Sequence, residues 1–179
     1  MFVALTLMVG LLPTIPGSAL KFIGFPLLLG GLLLGPRTGL AVGCLTDLIL
    51  FSLRPGGPFF PGFTLTQGLT AMLPGLLTLN VEPLSGRPLS ESPFPPTHHP
   101  VLAYLRLLVI FAGTKLLTSV LLVSLFTTWL AGTIPLQAKL LETLIIQAWH
   151  VPIYALLAML VLQGLAHTEL YARLLKARR

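Results

Sequence analysis

Thr143, Gln147, His150 and Tyr154 are spaced four, three and four apart in an otherwise apolar stretch, 140–165. That spacing puts them along one face of a helix. Polar side chains at membrane depth turn toward the inside of a bundle or a water-filled cavity. Interhelical hydrogen bonding accounts for one such residue, whereas four in register favour a ligand cavity. Pro152 lies among them and loosens the helix there. A second set lies in the apolar stretch 101–130, where Ser119, Leu122, Phe126 and Trp129 follow Lys115 at helical spacing. An ammonium in mid-span is costly unless paired or solvated, which makes Lys115 a functional candidate. Asp47, on one face with Gly39 and Gly43, is its candidate protein partner. Whether Asp47 neutralises Lys115 or serves a ligand stays open at this point.

The segment Arg54-Pro-Gly-Gly-Pro-Phe-Phe-Pro-Gly-Phe-Thr-Leu-Thr-Gln67 joins two apolar stretches. Its prolines and glycines resist helix formation, yet it carries Phe59, Phe60 and Phe63. Irregular apolar backbone near membrane depth persists where protein or a cavity buries it. Thr64 reads as an N-cap, with Gln67 three residues on completing a capping box. A helix beginning there offers free N–H groups and a positive dipole end to an anion. The alternative is a rigid turn whose aromatic rings pack on the bundle.

Other chemistry is poorly represented. Cys44 is the single cysteine and lies in an apolar run, which excludes disulfides and Cys-based metal sites. Adjacent His98 and His99 sit among prolines without further ligands, so no metal and no cofactor is expected. There is no Gly-x-Ser-x-Gly, no His-Glu-x-x-His and no carboxylate cluster, which argues against an enzyme. The net charge of +6 is not arranged as a basic stripe with interleaved aromatics, which argues against a nucleic-acid partner.

These residues are carried by a chain of 179 residues, 55% hydrophobic and 9% charged. Its mean hydropathy is +0.93. A soluble domain carries roughly 25% charged residues, so the solvent here is lipid. Apolar stretches at 1–12, 22–35, 38–53, 64–79, 101–130 and 140–165 predict an all-α membrane protein, a single-domain bundle of six transmembrane helices. Met-Phe-Val-Ala-Leu at the start has no basic residue, so a membrane-embedded first helix is expected rather than a secretory signal. Arg37, Arg87, Arg106 and the basic tail 167–179 (Arg173, Lys176, Arg178, Arg179) outnumber Lys21, Arg54 and Lys139 on the other side. The positive-inside rule then puts both termini and the polar 80–100 loop in the cytoplasm. Gly31, Gly35, Gly39 and Gly43 recur every four residues and let backbones approach, either inside the bundle or toward a docked subunit.

Pro26, Gly31, Gly35-Pro36, Gly43, Asp47 and the run from Gly57 to Thr66 resemble the folate-family substrate-binding (S) components of energy-coupling factor (ECF) transporters. The resemblance is concentrated in residues 20–75. It implies a six-helix, multi-pass subunit of the plasma membrane that captures a vitamin outside the cell. Its implied partners are a transmembrane coupling (T) component and two cytoplasmic ATPases, whose hydrolysis of ATP topples it to release substrate inward. No Walker motif occurs here, so energy must come from another chain. Carried over onto this sequence, the resemblance puts Phe60, Phe63 and Thr64 in the site, with Gln147 and His150 standing where folate binders have a sixth-helix amide pair. In the first helix Ala4 and Met8 stand where the family has an alanine-rich coupling motif. A folate would stack its pterin on Phe or Trp and present its glutamate to Lys115, Arg54 and the fourth-helix N-terminus. Pantothenate, biotin or a queuosine precursor are rival substrates, and a non-transporting membrane scaffold is the rival role.

Overall fold

A computed structural model describes residues 2–11, 22–55, 59–81, 100–132 and 135–166. Lys21, Arg87, His98, His99, Gly57 and most of the 80–100 loop lie outside the described residues, as does the tail 167–179. Among the described residues there are six helices and no strand: α1 (Phe2–Leu11), α2 (Gly24–Leu34), α3 (Pro36–Leu53), α4 (Pro61–Val81), α5 and α6 (Leu136–Ala166). α5 is continuous but not uniform: Pro100–Lys115 is α-helical, Leu116–Val123 is a π-helix, and Ser124–Ala131 is α-helical again.

Of these six helices among the described residues, three are long and apolar enough to cross a membrane: Pro36–Leu53, Val101–Leu130 and Leu136–Gly164. α1 and α2 rise only about 15 Å each, half the hydrocarbon thickness. α2 survives at that length because it is apolar on every side and buried on nearly every side, with only Phe25 and Leu34 escaping full burial. It ends at Gly35, whose φ of 86° favours glycine, and Pro36 starts α3 at once with no N–H to satisfy.

Glycines draw α2, α3 and α4 together until backbone meets backbone. A methyl on Gly31 would collide with the carbonyl of Ala71, and one on Gly39 would stand 2.5 Å from the same oxygen. At Gly43 the added carbon would lie 2.5 Å from the Gln67 carbonyl oxygen, and at Gly75 it would lie 2.6 Å from that of Gly31. Of the two uses open to the glycine series, packing inside the bundle is the one observed for Gly31, Gly39 and Gly43.

Polar residues inside these apolar helices mostly satisfy themselves locally. The hydroxyls of Thr6, Thr46, Thr114 and Thr118 each donate to the carbonyl four residues back, at 2.7–2.9 Å. The outer surface has the opposite character. Met8, Val109, Trp129, Leu141 and Trp149 are all strongly exposed, as lipid-facing side chains are.

Candidate functional site

Between the glycine-packed helices and the α5–α6 pair lies a cavity of about 520 Å³. α4 lines it with Phe63, Thr66, Gln67 and Thr70, a helical stripe spaced three, one and three. α5 contributes Lys115, Ser119 and Val123, and α2 contributes Gly24 beside Ile23. From α6 come Lys139, Glu142, Thr143, Gln147, His150 and Tyr154. Of the residues expected from sequence, Lys115, Gln147, His150 and Phe63 thus meet around one space, along with the whole Thr143–Tyr154 stripe.

Phe60 does not line the cavity but backs Phe63, with ring centroids 5.6 Å apart. It also packs edge-on to Phe126 at 5.2 Å and lies 5.9 Å from Trp129. These rings form a roof where α3 and α5 end and α4 and α6 begin. Lys139 and Glu142 stand at the same end, paired at 2.9 Å, with the glutamate mostly exposed. Such an exposed pair contributes about 0–1 kcal/mol. The lining runs from there to His150 and Tyr154, halfway along α6.

Arg54 is exposed at the end of α3 and Thr64 faces elsewhere. One reading of this region needs correction, and the open question of Asp47 is answered. α4 starts at Pro61, so Thr64 and Gln67 do not form a capping box; proline at the first helical position sets the helix going earlier. The Thr64 hydroxyl instead donates to Asp47 Oδ2 at 2.7 Å, and Gln67 turns to the cavity. Asp47 is accordingly joined to Thr64, and no ion pair links it to Lys115. The stripe on α5 is also revised: the π-helical turn brings Ser119 and Val123 rather than Leu122 to the cavity beside Lys115. π-turns recur at functional sites, and the sequence offers no marker for this one.

The polar side chains around this space are incompletely satisfied. His150 is buried, and its Nδ1 lies 2.9 Å from the Ile146 carbonyl. A carbonyl only accepts, so Nδ1 carries a proton, and in the neutral ring Nε2 is an acceptor. Nε2 and Gln147 Oε1 are both buried without a partner. Thr66 and Thr70 donate their hydroxyl protons to Gly62 and Thr66 carbonyls, so only their lone pairs remain on offer. Lys115 is 7% exposed, with no carboxylate in ion-pair range among the described residues. The site therefore combines one buried cation with several acceptors and an aromatic wall.

Sequence reasoning missed Gly24, Thr66, Thr70, Lys139 and Glu142. The α4 stripe from Phe63 to Thr70 and the extension of the α6 stripe back through Thr143, Glu142 and Lys139 were both readable at helical spacing.

No curated protein matches the chain. The family described as ECF transporter, substrate-specific component, matches residues 1–176, nearly the whole sequence. A lipid-facing exterior around a polar cavity fits that assignment. The chain belongs to the substrate-specific component family of ECF transporters, and is thus a substrate-binding membrane subunit of an ECF importer.

Proposed function

We propose that the substrate is an anionic vitamin with an aromatic ring, and that folate fits best. The observation that carries this reading is the buried, unneutralised Lys115 beside a cavity with an aromatic wall. A buried ammonium without a counter-ion is costly, and a ligand carboxylate supplies the missing charge. The acceptors Gln147 Oε1 and His150 Nε2 call for N–H donors, which a pterin or a glutamyl amide supplies. Phe63, backed by Phe60, offers the ring face for stacking. A cavity of about 520 Å³ lies within the usual range for small-molecule sites.

The rest of the proposal concerns the assembly. The chain crosses the plasma membrane as a six-helix, single-domain subunit with cytoplasmic termini, a cytoplasmic 80–100 loop and a cytoplasmic basic tail. It delivers its vitamin through a T component and two ATPase subunits. The roof of phenylalanines then lies at the external face, as a lid over the captured molecule.

Native mass spectrometry of the purified protein tests the substrate directly. A retained folate supports the reading, whereas pantothenate, biotin or a queuosine precursor would keep transport and replace the vitamin. Lys115→Met tests the anion site. Its affinity for folate should fall about tenfold or more, with a smaller loss for the folate dimethyl ester, which lacks the carboxylates. Equal losses for acid and ester would make Lys115 a structural residue and remove the anion site.

A further inference from the structure

The Lys115 ammonium rests between two uncharged groups. A methyl built on Gly24 would lie 2.6 Å from Nζ and 3.2 Å from Cε of Lys115, so the head of the lysine occupies the space a side chain would need. The same methyl would stand 3.4 Å from Cε2 of Tyr154, whose ring centroid is 5.9 Å from Nζ. Gly24 opens α2, the helix locked to α4 through Gly31, while Lys115 ends the first α-helical section of α5. The lysine is thus placed where the two groups of helices meet.

Gly24 is not required by its backbone. It has no positive φ, so any residue could adopt its conformation, and alanine would favour the helix. Room for the lysine is what glycine provides there. A carboxylate in the same place would hold the ammonium too, but would cancel its charge. The aromatic ring attracts the cation by its quadrupole and leaves the charge in place.

We propose that Gly24 is a positioning residue for substrate capture: with the Tyr154 ring it forms a neutral seat that holds the Lys115 ammonium at the cavity wall, its charge free for the acid group of the ligand. This rests on the reading that Lys115 receives an anion. The added methyl of Gly24→Ala pushes the ammonium off the seat without altering any charge.

The test is a double-mutant cycle in detergent-purified protein, using Gly24→Ala, Lys115→Met and both together. The probes are folate and its dimethyl ester, with benzoate and benzamide as the acid and neutral pair should folate not bind. Gly24→Ala should weaken binding of the acid about tenfold and of the neutral probe less than about twofold, and should add nothing once Lys115 is methionine. Equal losses for acid and neutral probes, or an undiminished loss in the Lys115→Met background, would overturn the seat while leaving the anion site standing. No effect of Lys115→Met on the acid, or binding of none of the probes, would bring down the anion reading and the seat with it. Should Gly24→Ala fail to fold, Tyr154→Leu removes the other side of the seat. Its ring also lines the cavity, so both probes lose affinity, but the excess loss for the acid should vanish in the Lys115→Met background, and an excess that persists there would overturn the seat.

Discussion

The two groups of helices are built on different rules. In α2, α3 and α4, glycines bring backbones into contact and leave no room even for a methyl at Gly31, Gly39, Gly43 or Gly75. In α5 and α6, Gly113 and Gly164 have nothing within 4 Å of an added carbon, and contact is made by side chains around open space. The first group satisfies its polar atoms internally, as Thr46 does with the Val42 carbonyl. The second contains a π-turn and the unpartnered Gln147 Oε1 and His150 Nε2. Lipid gives helices no hydrophobic reason to associate, so close packing must hold them together. The glycine-packed group provides that rigidity and one cavity wall, which leaves the other group free to carry chemistry at some cost in packing.

The comparison is broken most directly at Gly31. Gly31→Val places branched carbon in the Ala71 carbonyl, and neither backbone can yield without separating α2 from α4. A loss on the order of 4 kcal/mol or more is expected, seen as loss of monodisperse protein in size-exclusion chromatography. Gly113→Ala, in open space, should shift stability by no more than about 1 kcal/mol. Similar outcomes at both positions would erase the distinction between the two groups.

The roof sharpens it next. Replacing Phe60 and Phe63 together by alanine strips the cavity of the Phe63 ring and of the Phe60 ring behind it, both of which pack on Phe126. Ligand affinity should fall about tenfold or more, since each aromatic pair is worth about 0.5–1.5 kcal/mol beyond its buried area. The protein should remain folded, because the glycine contacts lie lower in the bundle. Unchanged affinity would reduce the roof to packing.

Much of this was legible in the sequence where a single helix carries the signal. The stripe from Thr143 to Tyr154 needs only the 3.6-residue period, and Lys115 needs only the cost of a charge in lipid. What escaped depends on neighbours in space. Asp47 and Thr64 are seventeen residues apart and meet only because Gly43 lets α3 touch α4 at Gln67 and Gly68. The α5 stripe shifted because a π-turn changes the face a residue presents, and Leu116–Val123 is an ordinary apolar sequence. Gly24 looked like one glycine among many until Lys115 was seen against it. The short α1 and α2 have the composition of membrane spans but not the length, and only burial explains α2.

The smallest expected effect lies at the α3–α4 joint and separates two roles for Thr64. As the cap of an anion-binding helix terminus, it would matter to the ligand. As the donor to Asp47, it matters to the fold. Thr64→Val removes a 2.7 Å hydrogen bond to a half-buried carboxylate. The loss in stability should be about 1–2 kcal/mol, read as a lower midpoint of thermal unfolding in detergent. Asp47→Leu added to Thr64→Val should restore most of it, since removing both partners costs less than orphaning one. Ligand affinity should change less than about twofold, because Thr64 does not line the cavity. A tenfold loss of affinity with unchanged stability would return Thr64 to the binding site, and the glycine-packed helices would then carry chemistry as well as support.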